Sequence, residues 1–133
     1  HENNSNICLS YITQKKDIEN SWFHKLQGRL FGCDTCQGVC PYNKKASLST
    51  IEAFEPFPFM EEVNIEELIN MDNKTFRDKY ALTSCGWRGK NILIRNALIN
   101  VFEKAENYKV GVKHFNSPYV KDYYSRLLQL HKL

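Results

Sequence analysis

The most regular alternation of apolar and polar positions lies late in the chain. There Ile94, Ala97, Leu98, Val101, Phe102 and Ala105 follow i, i+3, i+4, i+7, i+8 and i+11, the spacing of one helical face. It predicts a helix over residues 90–105, entered through a turn loosened by Gly86 and Gly89. A second stripe, Val120, Tyr123, Tyr124, Leu127, Leu128 and His131, predicts a final helix with Ser117 as its cap and Pro118 at its first position. Two facing amphipathic helices form an αα-hairpin, the unit of helical repeat proteins.

Upstream the apolar runs are shorter. Ile7, Cys8, Tyr11 and Ile12 predict a small helix within residues 3–14 that presents Cys8 on its buried face. After a polar break at 15–20, Trp22, Phe23 and Leu26 make a stripe that Gly28 ends, and residues 34–39 have room for one helical turn. Residues 42–49 are polar and lysine-bearing. Residues 53–59 hold Pro56 and Pro58, which exclude a regular helix and predict a connector packing its phenylalanines. Asn64 with Glu67 resembles a capping box opening a helix through Asn70, and Asn73 is placed to cap a further one carrying Phe76, Tyr80 and Ala81. A boundary near Met60 divides residues 1–59 from residues 60–133.

Composition changes this picture little. The 133 residues are 42% hydrophobic, 13% aromatic and 25% charged, a globular balance. The net charge of +3 and pI near 8.6 permit a nucleic-acid partner without requiring one. No run reaches the roughly 18 apolar residues of a membrane span, and no signal peptide opens the chain, so a soluble, cytoplasmic protein is expected, and separately a monomer. His1 in place of Met is read as the start of a piece of something longer.

Cysteine chemistry changes it most. Five cysteines, an odd number, favour metal or redox work over a disulfide framework. Cys33, Cys36 and Cys40 followed by Pro41 read C-x2-C-x3-C-P, the tail of a ferredoxin-type iron–sulfur run whose last cysteine serves a second cluster. The leading cysteine is missing, since Leu30 stands three residues before Cys33; Cys8 is the natural replacement. Zinc is the alternative for soft thiolates, but a second knuckle or a His pair is absent, and His24 falls closer to a helix stripe. The expected fold is mainly α: a ferredoxin-type iron–sulfur segment with short helices, then a small HEAT-like helical lobe.

Several stretches resemble one family. Cys8-Leu9-Ser10-Tyr11-Ile12-Thr13, the block from Phe31-Gly32-Cys33 through Cys40-Pro41-Tyr42-Asn43, then Arg88-Gly89-Lys90 and Arg95-Asn96-Ala97-Leu98 are similar to the C-terminal half of epoxyqueuosine reductases. Those enzymes use cobalamin and two [4Fe–4S] clusters to reduce epoxyqueuosine to queuosine in tRNA. The resemblance implies that Cys8, Cys33 and Cys36 ligate one cluster while Cys40 crosses to the other. It also implies that the cobalamin domain and the catalytic residues lie outside this chain, which alone would be inactive, and that a flavodoxin or ferredoxin supplies electrons. Tyr42 stands where the family commonly has Trp, Lys90 where Arg is usual, and Cys85 has no counterpart.

Arg88, Lys90 and Lys113 are the candidate RNA contacts, with a solvated helix surface as the plainer account. Arg95 is expected to pair inside the fold, and Cys85 to be a small buried hydrophobe. Two other functions compete: a stand-alone ferredoxin-type electron-transfer module, and a zinc-stapled helical module that binds RNA or protein.

Overall fold

The computed structural model describes residues 4–104 and 115–132. Every regular element among them is helical. The chain runs through α1 (Leu9–Gln14), a 3₁₀ segment (Asn20–Lys25), α2 (Thr35–Gly38), α3 (Pro58–Glu61), α4 (Ile65–Ile69), α5 (Asn73–Thr75), α6 (Lys90–Glu103) and α7 (Pro118–Leu130).

The ends of these helices follow local chemistry. Asn64 accepts from the Glu67 N–H at 3.0 Å to start α4, while the Glu67 carboxylate turns to Lys79 instead of closing the box. The next helix is capped one residue earlier than expected: Asp72, not Asn73, accepts from the Thr75 N–H at 2.7 Å. That helix then widens into a π-turn over Phe76–Tyr80, closed by Ala81 N–H to Phe76 O at 2.9 Å. Ser117 caps α7, with Pro118 at its first position.

Helix α6 departs from the expected amphipathic form. Every residue from Ile92 to Asn100 is buried, because α6 runs through the middle of the molecule with α7, α4, the 3₁₀ segment and α1 packed around it. Its apolar stripe meets Leu68, Val120, Tyr123 and Leu127, and Ile12, Ile18, Phe23 and Leu26 join the same core. The connector keeps only part of its aromatic packing. Phe59 sits edge-on to Tyr80 at 5.1 Å between ring centres, whereas Phe54 and Phe57 are exposed.

Candidate metal centre

Three cysteines sit in the segment that contributes least to the core, and a fourth, Cys8, precedes the helix whose far end is tied to that segment's start. No residue between Leu26 and Leu68 is buried. Cys33 precedes α2, Cys36 lies within it, and Cys40 caps the 3₁₀ turn Pro41–Lys45. Cys8 is the residue ahead of α1; it is exposed, not on the helix's buried face. None of the five cysteines is in a disulfide. Cys85 stands apart, 7% exposed in the core with the Thr83 hydroxyl 3.0 Å from its sulfur.

The backbone leading into this segment is hung from one helix. Asn96 donates through Nδ2 to Thr13 O at 2.8 Å and to Leu30 O at 2.6 Å. One turn on, Asn100 donates to Arg29 O at 2.9 Å and accepts from the Gly28 N–H at 2.7 Å. The Thr13 hydroxyl accepts from the Gly32 N–H at 2.8 Å, tying the end of α1 to the residue before Cys33. Positive φ values at Gly28 (87°) and Gly32 (81°) let the chain turn there. The helix that starts behind Cys8 and the strand of chain that delivers Cys33 therefore share one support.

Arg95 completes that support. It is fully buried and faces carbonyls: Nη2 donates to Thr13 O at 3.0 Å, and Nη1 to Lys15 O at 2.6 Å and Lys16 O at 2.9 Å. These oxygens lie at and beyond the C-terminus of α1, where helical carbonyls lack partners and the dipole favours a cation. The Tyr119 hydroxyl, its acidity weakened by burial, donates to Lys16 O and accepts from Arg95.

The sulfurs have the chemistry of metal ligands. The Thr35 hydroxyl and backbone N–H hold the Cys33 thiol below its ordinary pKa; some desolvation opposes this, and the Arg29 guanidinium, 3.0 Å from Sγ, assists. Thiolate is the form that binds metal. A Cβ placed on Gly38 would meet nothing within 4 Å, so the loop is open on that side. Among the described residues no three His, Cys, Asp or Glu side chains converge on a single ion position. Free thiols on an unpacked loop, one already biased to thiolate, suit an iron–sulfur cluster, whose thiolates each bind a different iron.

The RNA candidates are differently placed. The Arg88 Nε donates to Gln14 O at 2.8 Å, and its guanidinium lies 4.9 Å from the centre of the Trp87 ring. Lys90 opens α6 and is half-buried. Lys113 lies outside the described residues. Arg95 is internal, as its helical position implied. Sequence reasoning missed Thr13, Arg29, Asn96 and Asn100; the signal available was two asparagines at i and i+4 amid apolar neighbours, a spacing that puts both on one buried face.

The 4Fe-4S double cluster binding domain family matches residues 1–43. The epoxyqueuosine reductase of Listeria monocytogenes is 40% identical over 97 residues, 72% of this chain and 26% of that protein. That of Bacillus subtilis is 37% identical over 97 residues, covering 72% and 25%. A crystal structure of epoxyqueuosine reductase with a tRNA-Tyr epoxyqueuosine-modified tRNA stem loop superposes with a TM-score of 0.70 at 35% identity, covering 75% of this chain and 27% of that one. The Streptococcus thermophilus enzyme gives 0.66 at 31% identity. The chain spans about a quarter of the length of the curated relatives it matches. It is a relative of the epoxyqueuosine reductases, and its first 43 residues match the 4Fe-4S double cluster binding domain family.

Proposed function

We propose that this chain is the iron–sulfur and tRNA-contacting part of an epoxyqueuosine reductase, the cytoplasmic enzyme that reduces epoxyqueuosine to queuosine in tRNA. The observation that carries this reading is the unpacked segment between Leu26 and Leu68, which holds three free cysteines in iron–sulfur spacing. Cys8, Cys33, Cys36 and Cys40 are the proposed ligands, and [4Fe–4S] clusters bound there supply one-electron transfer. No residue of this chain is assigned a catalytic role. Cobalamin, the remaining cluster ligands and the reacting groups would come from the rest of the enzyme, and electrons from a flavodoxin or ferredoxin.

The chain's own residues do two things in this scheme. Asn96, Asn100 and Thr13 fix the approach to Cys33, and Arg29 with Thr35 favours its thiolate. Residues 1–59 carry the ligands, and residues 60–133, resembling HEAT-type repeats, brace them and present Arg88, Lys90 and Lys113 to tRNA phosphates. Supporting the RNA partner is the related structure that holds a tRNA stem loop.

Iron and sulfide analysis tests the ligand assignment. In the full-length enzyme, Cys36→Ser should lose one cluster's iron and abolish turnover, while Cys85→Ser should lose neither. Equal losses would show that Cys85 has been wrongly set apart.

A further inference from the structure

We propose that Trp87 is a stacking platform for an unpaired base of an RNA loop, with Lys15, Lys16 and Arg88 as the phosphate contacts around it. This rests on the tRNA reading above and adds Trp87, Lys15 and Lys16, which that reading leaves unassigned. Trp87 is 67% exposed, while the chain's other tryptophan, Trp22, packs against the core. An exposed indole offers an aromatic surface on which a base can stack.

Its surroundings are cationic and fixed. The Arg88 guanidinium lies 4.9 Å from the indole centre, held by its bond to Gln14 O. Gln14 is followed directly by Lys15 and Lys16, whose carbonyls are pinned by Arg95 while both residues are exposed. The Arg88–Gln14 bond thus joins segments 74 residues apart and brings the stretch that continues into Lys15 and Lys16 up to the arginine beside the indole; Asp17 is the carboxylate adjoining them in sequence. Such a surface matches single-stranded RNA, whose bases stack on aromatic rings while lysine and arginine meet phosphates. A duplex keeps its base faces covered and can use only the cations.

Binding of the full 133-residue chain to a hairpin RNA with an unpaired loop, and to the same stem as a blunt duplex, tests this across a salt series. Trp87→Ala should weaken hairpin binding about 10-fold, leave duplex binding unchanged, and be largely rescued by Trp87→Phe. Replacing Lys15 and Lys16 by Gln should weaken both RNAs and lower the salt slope by about 1.5. If Trp87→Ala binds the hairpin normally, or loses both RNAs equally, the stacking role is overturned while the tRNA reading stands. Hairpin displacement by polyglutamate as readily as by RNA would assign the face to an acidic protein and overturn it too. If the unaltered chain binds neither RNA, the tRNA reading falls along with it.

Discussion

Helix α6 and the segment between Leu26 and Leu68 are ordered by opposite means. From Ile92 to Asn100 every residue of α6 is buried, and its polar members Arg95, Asn96 and Asn100 all hydrogen-bond to neighbouring backbone. Between Leu26 and Leu68 nothing is buried, and Val39, Tyr42, Leu48, Ile51, Phe54 and Phe57 are exposed. Desolvated contacts set the first region in place. The second has no such interior of its own: it is held at its ends, where Asn96 and Asn100 bind Leu30 and Arg29 and where Phe59, Met60 and Ile65 pack against the core, and its cysteine loop rests on short local hydrogen bonds.

The comparison is easiest to break at its rigid end. Arg95→Leu strips one donor from each of the carbonyls of Thr13, Lys15 and Lys16; Asn96 still serves Thr13 and Tyr119 still serves Lys16, so the Lys15 carbonyl alone loses its side-chain donor outright. A cost of about 3–4 kcal/mol is expected in urea unfolding, from that carbonyl and from the lost hydrogen bonds of a charged group at the other two. Gly86→Ala should come next. Its Cβ would lie 2.2 Å from Tyr80 O and 2.6 Å from Ala81 O, so backbone has to move, at about 2–3 kcal/mol. Gly38→Ala is the matching change in the cysteine segment. It meets open space within a short helix, and the iron-free chain should hold its stability within about 0.5 kcal/mol or gain slightly. Similar losses at Gly86 and Gly38 would erase the distinction between the two regions.

Removing iron sharpens the same contrast. Chelation should leave the main unfolding transition of the helical core nearly where it was, while amide exchange over residues 33–45 rises sharply. Loss of the whole transition on chelation would mean that the cluster, not α6, holds the core together. In the iron-free chain, alkylation of Cys33 should reach half its maximal rate below the pH seen for a free thiol, because Thr35 and Arg29 favour its thiolate. Arg29→Gln should move that midpoint upward.

How much of this was legible in the sequence depends on which interactions set each part. The stripes of α6 and α7 and the Ser117-Pro118 start were readable because they rest on spacing and local chemistry. The iron–sulfur character of the first 43 residues was readable for a similar reason, since it rests on the local C-x2-C-x3-C-P spacing. Burial of α6 on all sides was not readable, because it depends on α1 and the 3₁₀ segment returning to pack on it from far earlier in the chain. Nor was the support formed by Asn96 and Asn100, whose partners Leu30 and Arg29 are some seventy residues away. Cys8 was taken as buried because its neighbours Ile7, Tyr11 and Ile12 are apolar, yet of those three only Ile12 is buried.

The smallest expected effect separates two exposed carboxylates on the helical side by the origin of their charge preference. Asp72 is held below the ordinary carboxylate range by the Thr75 backbone N–H it accepts, and Asp78 by Lys74, 3.1 Å away. In both, the folded protein favours the charged form more than the unfolded chain does. Each contribution to stability is therefore fully present above the unfolded carboxylate pKa and is lost as pH falls through the lower folded value. The gap in melting temperature between the natural chain and Asp72→Ala, which removes the acceptor that Asn would keep, should be full from neutral pH down to about pH 4 and narrow below it. Salt then tells the two apart. An exposed ion pair is screened, so the corresponding gap for Asp78→Asn should shrink at about 1 M salt, whereas a hydrogen bond to backbone at a helix start should keep most of its effect. A gap at Asp72 that vanished in salt along with that at Asp78 would show that the cap works through long-range charge and not through the N–H it accepts.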